Sequence, residues 1–500
     1  MSINALKIRR LGIDTYQEMV VYMRSACPVC KSEGFEAQSR IEVRRNGTAI
    51  VATLNVVHFD LLGEDEIGLS EAAWRALGGV DGELAQLAHP APLLSFSGVR
   101  AKIYGRALSA DASSAIITDI CGGRYSDIEM AAFITACSGG RMDVAETIGL
   151  TRAMIGAGQR LQWDDSVVVD KHCVGGLPGN RTTLLVVPIV AACGLTIPKT
   201  SSRAITSPAG SADVMETLAP VSLDVASMRR VVGREGGCIV WGGAVALSPA
   251  DDLLIRVERP LGLDSDGMLV ASVLSKKIAA GSTHVVIDIP VGRTAKVRSS
   301  TAGAALAERL TAVGQALGIV VKVVLTDGAQ PVGRGVGPAL EAHDVLAVLN
   351  NAPGAPDDLR QRALMLAGMV LEMGGKAAPG AGLVMASDVL ASGAAWRKFQ
   401  AICDAQGGMR EPGRAAYTHA VGALHRGTVV AVDNRVLARV AKLAGAPMAA
   451  NAGLTFEAPL GTEVEVGQPL FTLHAESPGE LAYALAYAQS QEHLFTIQGE

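Results

Sequence analysis

The sequence predicts an α/β protein. It has a helical domain, a large α/β domain with a mostly parallel sheet, a β-rich N-terminal domain and a small C-terminal α+β module. Three observations carry this. Residues 165–250 alternate short apolar runs with helix-length segments, the grammar of βαβ units and a parallel sheet. Residues 105–160 hold three consecutive segments with apolar positions at three-and-four spacing. Glycine is abundant at 56 residues while aromatics make up only 4%, a balance suited to many tight turns between strands and helices.

Residues 1–95 form the β-rich domain. Ile41–Val43 and Ala49–Val57 are strand-like and joined through Asn46-Gly47, a hairpin signal. Leu62–Leu69 has turn and loop character. Residues 70–88 hold a helix, best supported over Glu71–Leu77. His89-Pro90-Ala91-Pro92 closes the region as a linker. The helical domain spans 100–165, with helices over Ser109–Gly122, Ser126–Cys137 and Asp143–Gly156, the second opened by a Ser126/Glu129 capping box. The α/β domain takes 166–249 and 281–405. Its strands are Val167–Val169, Ile197–Thr200, Cys238–Trp241, Val285–Ile289 and Val320–Leu325. Helices are expected over 182–194, from Ala212, and over 268–280, Ala304–Leu317, Pro338–Asn350 and Asp357–Gly374. Residues 406–500 form the C-terminal module, with strands over Gly427–Val432 and Thr462–Leu473 and the look of a barrel-sandwich. Lys442 is the last lysine, so this module has no turn lysine to carry a swinging arm.

Composition excludes several classes. A net charge of −5 provides no global field for nucleic acid or acidic lipid. Few aromatics argue against single-strand nucleic-acid binding, which needs stacking platforms. The longest uncharged run lies between Arg181 and Lys199, short of the ~20 residues a bilayer requires and interrupted by Pro188 and Gly194. Residues 1–25 show no signal-peptide core, and the eight scattered cysteines read as free thiols of a cytoplasmic protein. Cys27-Pro28-Val29-Cys30 is a lone CxxC with no second pair to complete a zinc site, and reads as two thiols in a loop.

The most informative stretch runs from Val169 through Lys171-His172-Cys173-Val174-Gly175-Gly176 to Asn180. A strand leads into it and a buried helix follows. Glycines let backbone N–H groups converge, and the helix N-terminus adds partial positive charge, so the ligand is an anion, with phosphate favoured. Lys171 supplies a full charge and His172 a proton-active ring. A second stretch, Lys199 to Asp213, lies at the end of the next strand and is dense in hydroxyls at Ser201, Ser202, Thr206, Ser207 and Ser211. Arg203 offers a planar fork there. A third, Asp251 to Lys277, sets Ser272 and Lys276 on one helix face, preceded by Asp264 as a cap or general acid.

At these stretches the chain resembles the thymidine phosphorylase family of pentosyltransferases, which includes thymidine, pyrimidine-nucleoside and AMP phosphorylases. The family's K-H-S-x-G-G loop reads here as Lys171 to Gly176, with Cys173 in place of the serine. Its hydroxyl-rich loop and its A-S-x-x-S/A-K-K helix are both present. The P-G-N after the glycines, the S-S-R-A-I-T-S run and Asp327 to Gly335 are most similar to the AMP phosphorylase branch. The likeness covers about residues 100–490.

The resemblance implies phosphorolysis of an N-glycosidic bond, with a nucleoside or nucleotide and inorganic phosphate as substrates and no metal or other cofactor. Lys171, Gly175, Gly176, Thr183, Ser201 and Ser211 would hold phosphate. His172, Arg203, Ser272 and Lys276 would surround the nucleoside, with His172 and Asp264 as catalytic groups and Asp264 as proton donor. In the AMP branch, Gly176, Ser202, Arg203, Ala204, Ile205, Thr206, Ser207, Ser211, Ser272 and Lys296 match nucleotide-contacting positions. Lys296 with Arg256 or Arg259 would neutralise an extra phosphate. The family further implies a homodimer, and a helical domain, joined by 250–280, that faces the α/β domain across a closing cleft. Thymidine or a related pyrimidine nucleoside is the expected substrate, with AMP the rival. A magnesium-dependent phosphoribosyltransferase and a non-catalytic phosphate sensor are the remaining alternatives.

Overall fold

The structure, a computed structural model, describes residues 4–179, 181–204, 207–245, 247–263 and 265–499. Two compact units emerge: Met1–Ala153 with Ala250–Ser265, and Met154–Pro249 with Asp266–Glu500.

The first unit opens with a closed barrel of β1 (Ala5–Arg10), β2 (Val20–Arg24), β3 (Arg40–Arg45), β4 (Thr48–Val57), β5 (Glu66–Leu69) and β6 (Leu84–Ala88). Strands β3 and β4 pair antiparallel from Arg45↔Thr48 onward, and the intervening Asn46 and Gly47 take φ of 46° and 84°, as a type I′ turn requires. Alternate side chains of every strand fill the barrel, among them Ile8, Met23, Ile41, Leu54 and Ile67. The helix expected within 70–88 stands over Glu71–Leu77, its best-supported part, but Glu66–Leu69 is a strand rather than a loop and Leu84–Ala88 forms the unmarked strand β6. Closure of the barrel supplies both edges that these short segments need, a requirement no local pattern announces. Cys30 lies on a short helix, Pro28–Ser32, rather than in a loop, while Cys27 stands just before it at the N-cap. Both are free, buried thiols packed into the barrel core.

The same unit holds helices Phe96–Ile103, Ala110–Cys121 and Asp127–Cys137, with Ser126 and Glu129 forming the reciprocal capping box. Segment 250–265 clusters here, and Arg256 makes a bidentate pair with Asp127 at 2.5 and 2.8 Å. The helix Asp266–Ala279 belongs to the second unit, so the expected 250–280 contribution divides between the two.

The second unit is built on a parallel sheet. β7 (Val169–Cys173), β8 (Ile197–Ser201), β9 (Gly237–Trp241), β10 (His284–Val291) and β11 (Val320–Asp327) are its strands. β11, β10 and β7 pair in that order, β8 pairs with β9, and a parallel bridge Val168↔Thr196 joins the two sets. Helix Thr182–Ala192 is apolar on every side and buried from Thr182 to Ala191, its apolar residues joining the main core with Val169, Ile197 and Val286. Helices Gly382–Ala391 and Ala394–Gln406 also pack on this core, where sequence periodicity marked no element. The C-terminal segment forms two small sheets. One runs Gly335–Val336, Gly453–Phe456, Pro469–Ala475, Tyr417–Gly422, and the other Glu463–Val464, Gly427–Val432, Phe495–Gln498. No helix among the described residues is long and apolar enough to cross a membrane.

A buried ion cluster ties this C-terminal portion to the main sheet. Arg181, fully buried, donates to Asp344 at 2.6 Å and lies 3.3 Å from Glu341. Asp344 also accepts from the backbone N–H groups of Arg334 and Gly335. Burial pushes the Glu341 carboxyl up to about 7, with Arg181 opposing. A folded-state value above the unfolded one gives stability that is complete in acid and lost as pH rises through about 7. Glu341→Gln should therefore flatten the pH dependence of unfolding, removing about 2 kcal/mol of decline between roughly pH 5 and pH 8. Urea unfolding at both pH values checks this.

Candidate active site

Parallel pairing places the C-terminal ends of β7, β8 and β10 on one sheet edge, where open α/β folds bind ligands. From β7, side chains alternate between faces. Lys171, fully buried, reaches the start of helix Thr182–Ala192 and donates to Thr182 Oγ1 at 2.6 Å, and Thr182 in turn donates to the Gly179 carbonyl at 2.7 Å. Among the described residues no carboxylate pairs with Lys171. The hydroxyl at this lysine is thus Thr182, the neighbour of Thr183, which the resemblance assigned to phosphate. One residue along a helix is a turn of about 100°, so Thr183 points elsewhere, although both threonines are buried.

The glycine loop is held from three sides. Gly176 has φ +97°, and a Cβ there would come within 3.0 Å of the Lys296 backbone N and Cβ. Lys296 therefore packs directly on the loop. Leu177, itself at φ 92°, donates its N–H to Ser207 Oγ at 3.0 Å. Val332 donates to the Pro178 carbonyl at 2.6 Å, bringing the Asp327–Gly335 motif to the same place. Gly175 sits between strand and turn, after Val174 has extended the ladder to the Asp288 carbonyl.

The hydroxyl-rich loop is shaped by Asp213, which sequence reasoning left unassigned. Its carboxylate accepts from Ala204 N–H at 2.6 Å and Gly210 N–H at 2.9 Å. Arg203 stacks over Trp241, 4.8 Å from the ring centroid, and pairs with Asp213 and Glu216. Its fork is occupied by the protein's own carboxylates, a correction to the open fork expected from sequence. Ser201 ends β8 buried, and its hydroxyl has no hydrogen-bond partner among the described residues. Ser202 accepts from Ala212 N–H at 3.4 Å, which sets it beside Ser211 at the start of the next helix. The Leu177–Ser207 bond joins this loop to the glycine loop.

Ser272 and Lys276 share a helix face, with the ammonium donating to Ser272 Oγ at 3.0 Å. The His172 ring is held well below the usual histidine range. Burial is the main cause, followed by Lys277, Lys199, Lys276 and Lys171. Cys173 stands where the family has serine. Burial and neighbouring Asp288 push its thiol up to about 12, so it remains protonated. Arg256, assigned by sequence to an extra phosphate, is engaged by Asp127. Ile205, Thr206 and Asp264 lie outside the described residues. Thr182, Asp170, Lys199 and Lys277 were missed, although the Lys276-Lys277 doublet and the acid before Lys171 were visible in the motifs. Among the described residues no group of three or more His, Cys, Asp or Glu is placed to hold a metal ion.

Residues 165–396 match the glycosyl transferase family a/b domain, 99–158 its helical bundle domain, and 428–494 the pyrimidine nucleoside phosphorylase C-terminal domain. A similar solved structure is anthranilate phosphoribosyltransferase from Thermus thermophilus, at TM-score 0.50 and 22% identity over 62% of this chain and 99% of that one. That likeness shows the fold alone. The cationic, hydroxyl-rich sheet edge and these domains define a pentosyltransferase. Three relatives carry the provisional name thymidine phosphorylase. The one from Polaromonas sp. (strain JS666) is 66% identical over 97% of this chain and 95% of its own, and that from Legionella pneumophila (strain Corby) is 57% identical over 99% and 96%. The third, from Hahella chejuensis, is 56% identical over 100% and 99%. The chain belongs to the thymidine phosphorylase family.

Proposed function

We propose that this protein catalyses phosphorolysis of a pyrimidine nucleoside, thymidine or a close relative, giving free base and (2-deoxy)ribose 1-phosphate. The observation that carries the reading is the junction of the two loops. Lys171, without a carboxylate partner among the described residues, and Ser201, with an unused hydroxyl, end neighbouring parallel strands whose loops are bonded through Leu177 and Ser207.

Phosphate held by Lys171, Thr182, Ser201, Ser211 and the backbone of Gly175 and Gly176 attacks C1′. The C1′–N bond breaks and its electron pair leaves with the base. Positive charge on the sugar is stabilised by the phosphate, and negative charge on the base by His172, Ser272 and Lys276. Asp264 is the proposed proton donor. The reaction as written consumes phosphate and uses no metal or other cofactor. The protein would work as a cytoplasmic homodimer.

A second reading, a nucleoside 5′-monophosphate as substrate, is favoured by one contact: Lys296 packed on Gly176, where a 5′-phosphate would meet it. Base release from thymidine, uridine, AMP and CMP, with and without phosphate, decides between them. Phosphate-dependent turnover should be at least about tenfold faster, in kcat/KM, with thymidine or uridine than with AMP. The reverse order would establish the nucleotide reading. Release that ignores phosphate but requires magnesium and pyrophosphate chemistry would sink both.

A further inference from the structure

Asp170 and His172 are two residues apart on β7 and share a face, opposite Lys171. Two further lysines converge on that face. Lys277, from helix Asp266–Ala279, lies 2.8 Å from Asp170 Oδ2, and Lys199, from β8, lies 3.7 Å from Oδ1. Both ammonium groups also reach the Thr200 carbonyl, at 3.5 and 2.5 Å. Asp170, Lys277 and Lys199 are 0%, 2% and 4% exposed, so water screens none of them. Two buried cations share one carboxylate, which stands two residues from His172 on the same strand face.

The geometry points to Lys277 and Lys199 as positioning residues that act through His172, holding its ring neutral so that it faces the departing base as a hydrogen-bond donor and not as an acid. This rests on the phosphorylase reading above and assigns it a division of labour. Lys199 is itself held well below the ordinary lysine range, chiefly by burial and partly by Lys277, with Asp170 opposing. A site that strains to hold two ammonium groups does not accept an imidazolium as well. The charged groups around the ring are Asp170 on its own face of β7, Lys199 from β8, and Lys276 and Lys277 from the helix, with Lys171 acting from the opposite face of β7. Asp288 on β10 stands opposite Cys173, on the other face. A neutral imidazole offers one N–H donor and one acceptor. It can hold a base carbonyl, while the proton that the base needs comes from another group.

The test follows histidine signals by NMR in the full chain labelled with ¹³C,¹⁵N-histidine, the His172 signal being assigned by its loss in His172→Gln. In wild type, the His172 midpoint should lie well below that of a free imidazole. Lys277→Met leaves Asp170 under-compensated and should raise the midpoint by about one unit or more. Asp170→Asn should keep the ring neutral throughout, an effect of opposite sign. Lys277→Arg should restore the wild-type titration. The pH profile of kcat/KM for the nucleoside should gain an acidic limb in Lys277→Met, about tenfold between pH 8 and pH 6, while KM for phosphate moves less than about threefold. A purely structural role would lower the melting temperature and leave the His172 midpoint unmoved. Wild-type titration near the free value, or no shift in Lys277→Met, overturns the inference. If Lys277→Met does not fold, Lys199→Met is read in the same way. Absence of base release would strike the phosphorylase reading instead and leave the titration readable.

Discussion

Replacing Lys171 with methionine should abolish phosphate-dependent cleavage, lowering kcat/KM by about 10³-fold, while leaving the protein as stable as before or more so. The two signs come from one fact. Lys171 is a fully buried cation that donates to a neutral hydroxyl, Thr182 at 2.6 Å, and no carboxylate among the described residues balances it. Burying an uncompensated charge costs free energy, and a methionine of similar length removes that cost. The same charge is what a phosphate dianion would meet, and losing a preorganised partner for the reacting anion has effects of this size. Thermal unfolding should show the consequence by linkage. Millimolar phosphate should raise the wild-type melting temperature and leave that of Lys171→Met unchanged. A variant that still gains stability from phosphate and still turns over would remove the anion site from this sheet edge.

Gly210→Ala should cost about 10²-fold in kcat/KM with only a modest loss of stability, about 1–3 kcal/mol. A Cβ at this position would lie 2.5 Å from the Ser202 carbonyl oxygen, 2.7 Å from the Arg203 carbonyl carbon and 2.9 Å from the Ala204 nitrogen. All three are backbone atoms, so no flexible side chain can swing aside. The loop itself must move, taking Ser202 and its contact with Ala212 out of register. Alanine suits the backbone dihedrals here, with φ at −94°, so the effect would report close approach and not strain. Gly233→Ala is the matched control. It lies in a helix with nothing within 4 Å of the added carbon, and should keep full activity with a gain of about 0.5–1 kcal/mol. Steady-state kinetics and urea unfolding on both variants separate the outcomes. Equal kcat/KM for Gly210→Ala and wild type would mean the hydroxyl loop does not hold substrate.

The parts of the fold that were legible are those whose signal is local. Asn46-Gly47 demands its turn through φ alone, and the Ser126/Glu129 box marks a helix start through hydrogen bonds within four residues. The helix Thr182–Ala192 follows a glycine loop and carries no polar face, so it had to be buried. What escaped depended on partners far along the chain. β5 is four residues long and exists because β1 and β2 flank it. The helices Gly382–Ala391 and Ala394–Gln406 form against the core around Phe399 and Leu390, where packing outweighs a weak local pattern.

The same division runs through the site. Lys171, the glycines and the hydroxyl-dense loop were determined by the sequence itself, because anion binding by a βα turn needs those residue types within a few positions of one another. The tertiary structure alone decided that Thr182 meets Lys171, and that Arg203 is engaged by Asp213 and Glu216. It alone set Lys199 and Lys277 on either side of Asp170. Helical rotation settles the first, and long-range ion pairing settles the others. Charges 29 and 107 positions from Asp170 compete for one carboxylate only after a sheet and a helix have closed around it.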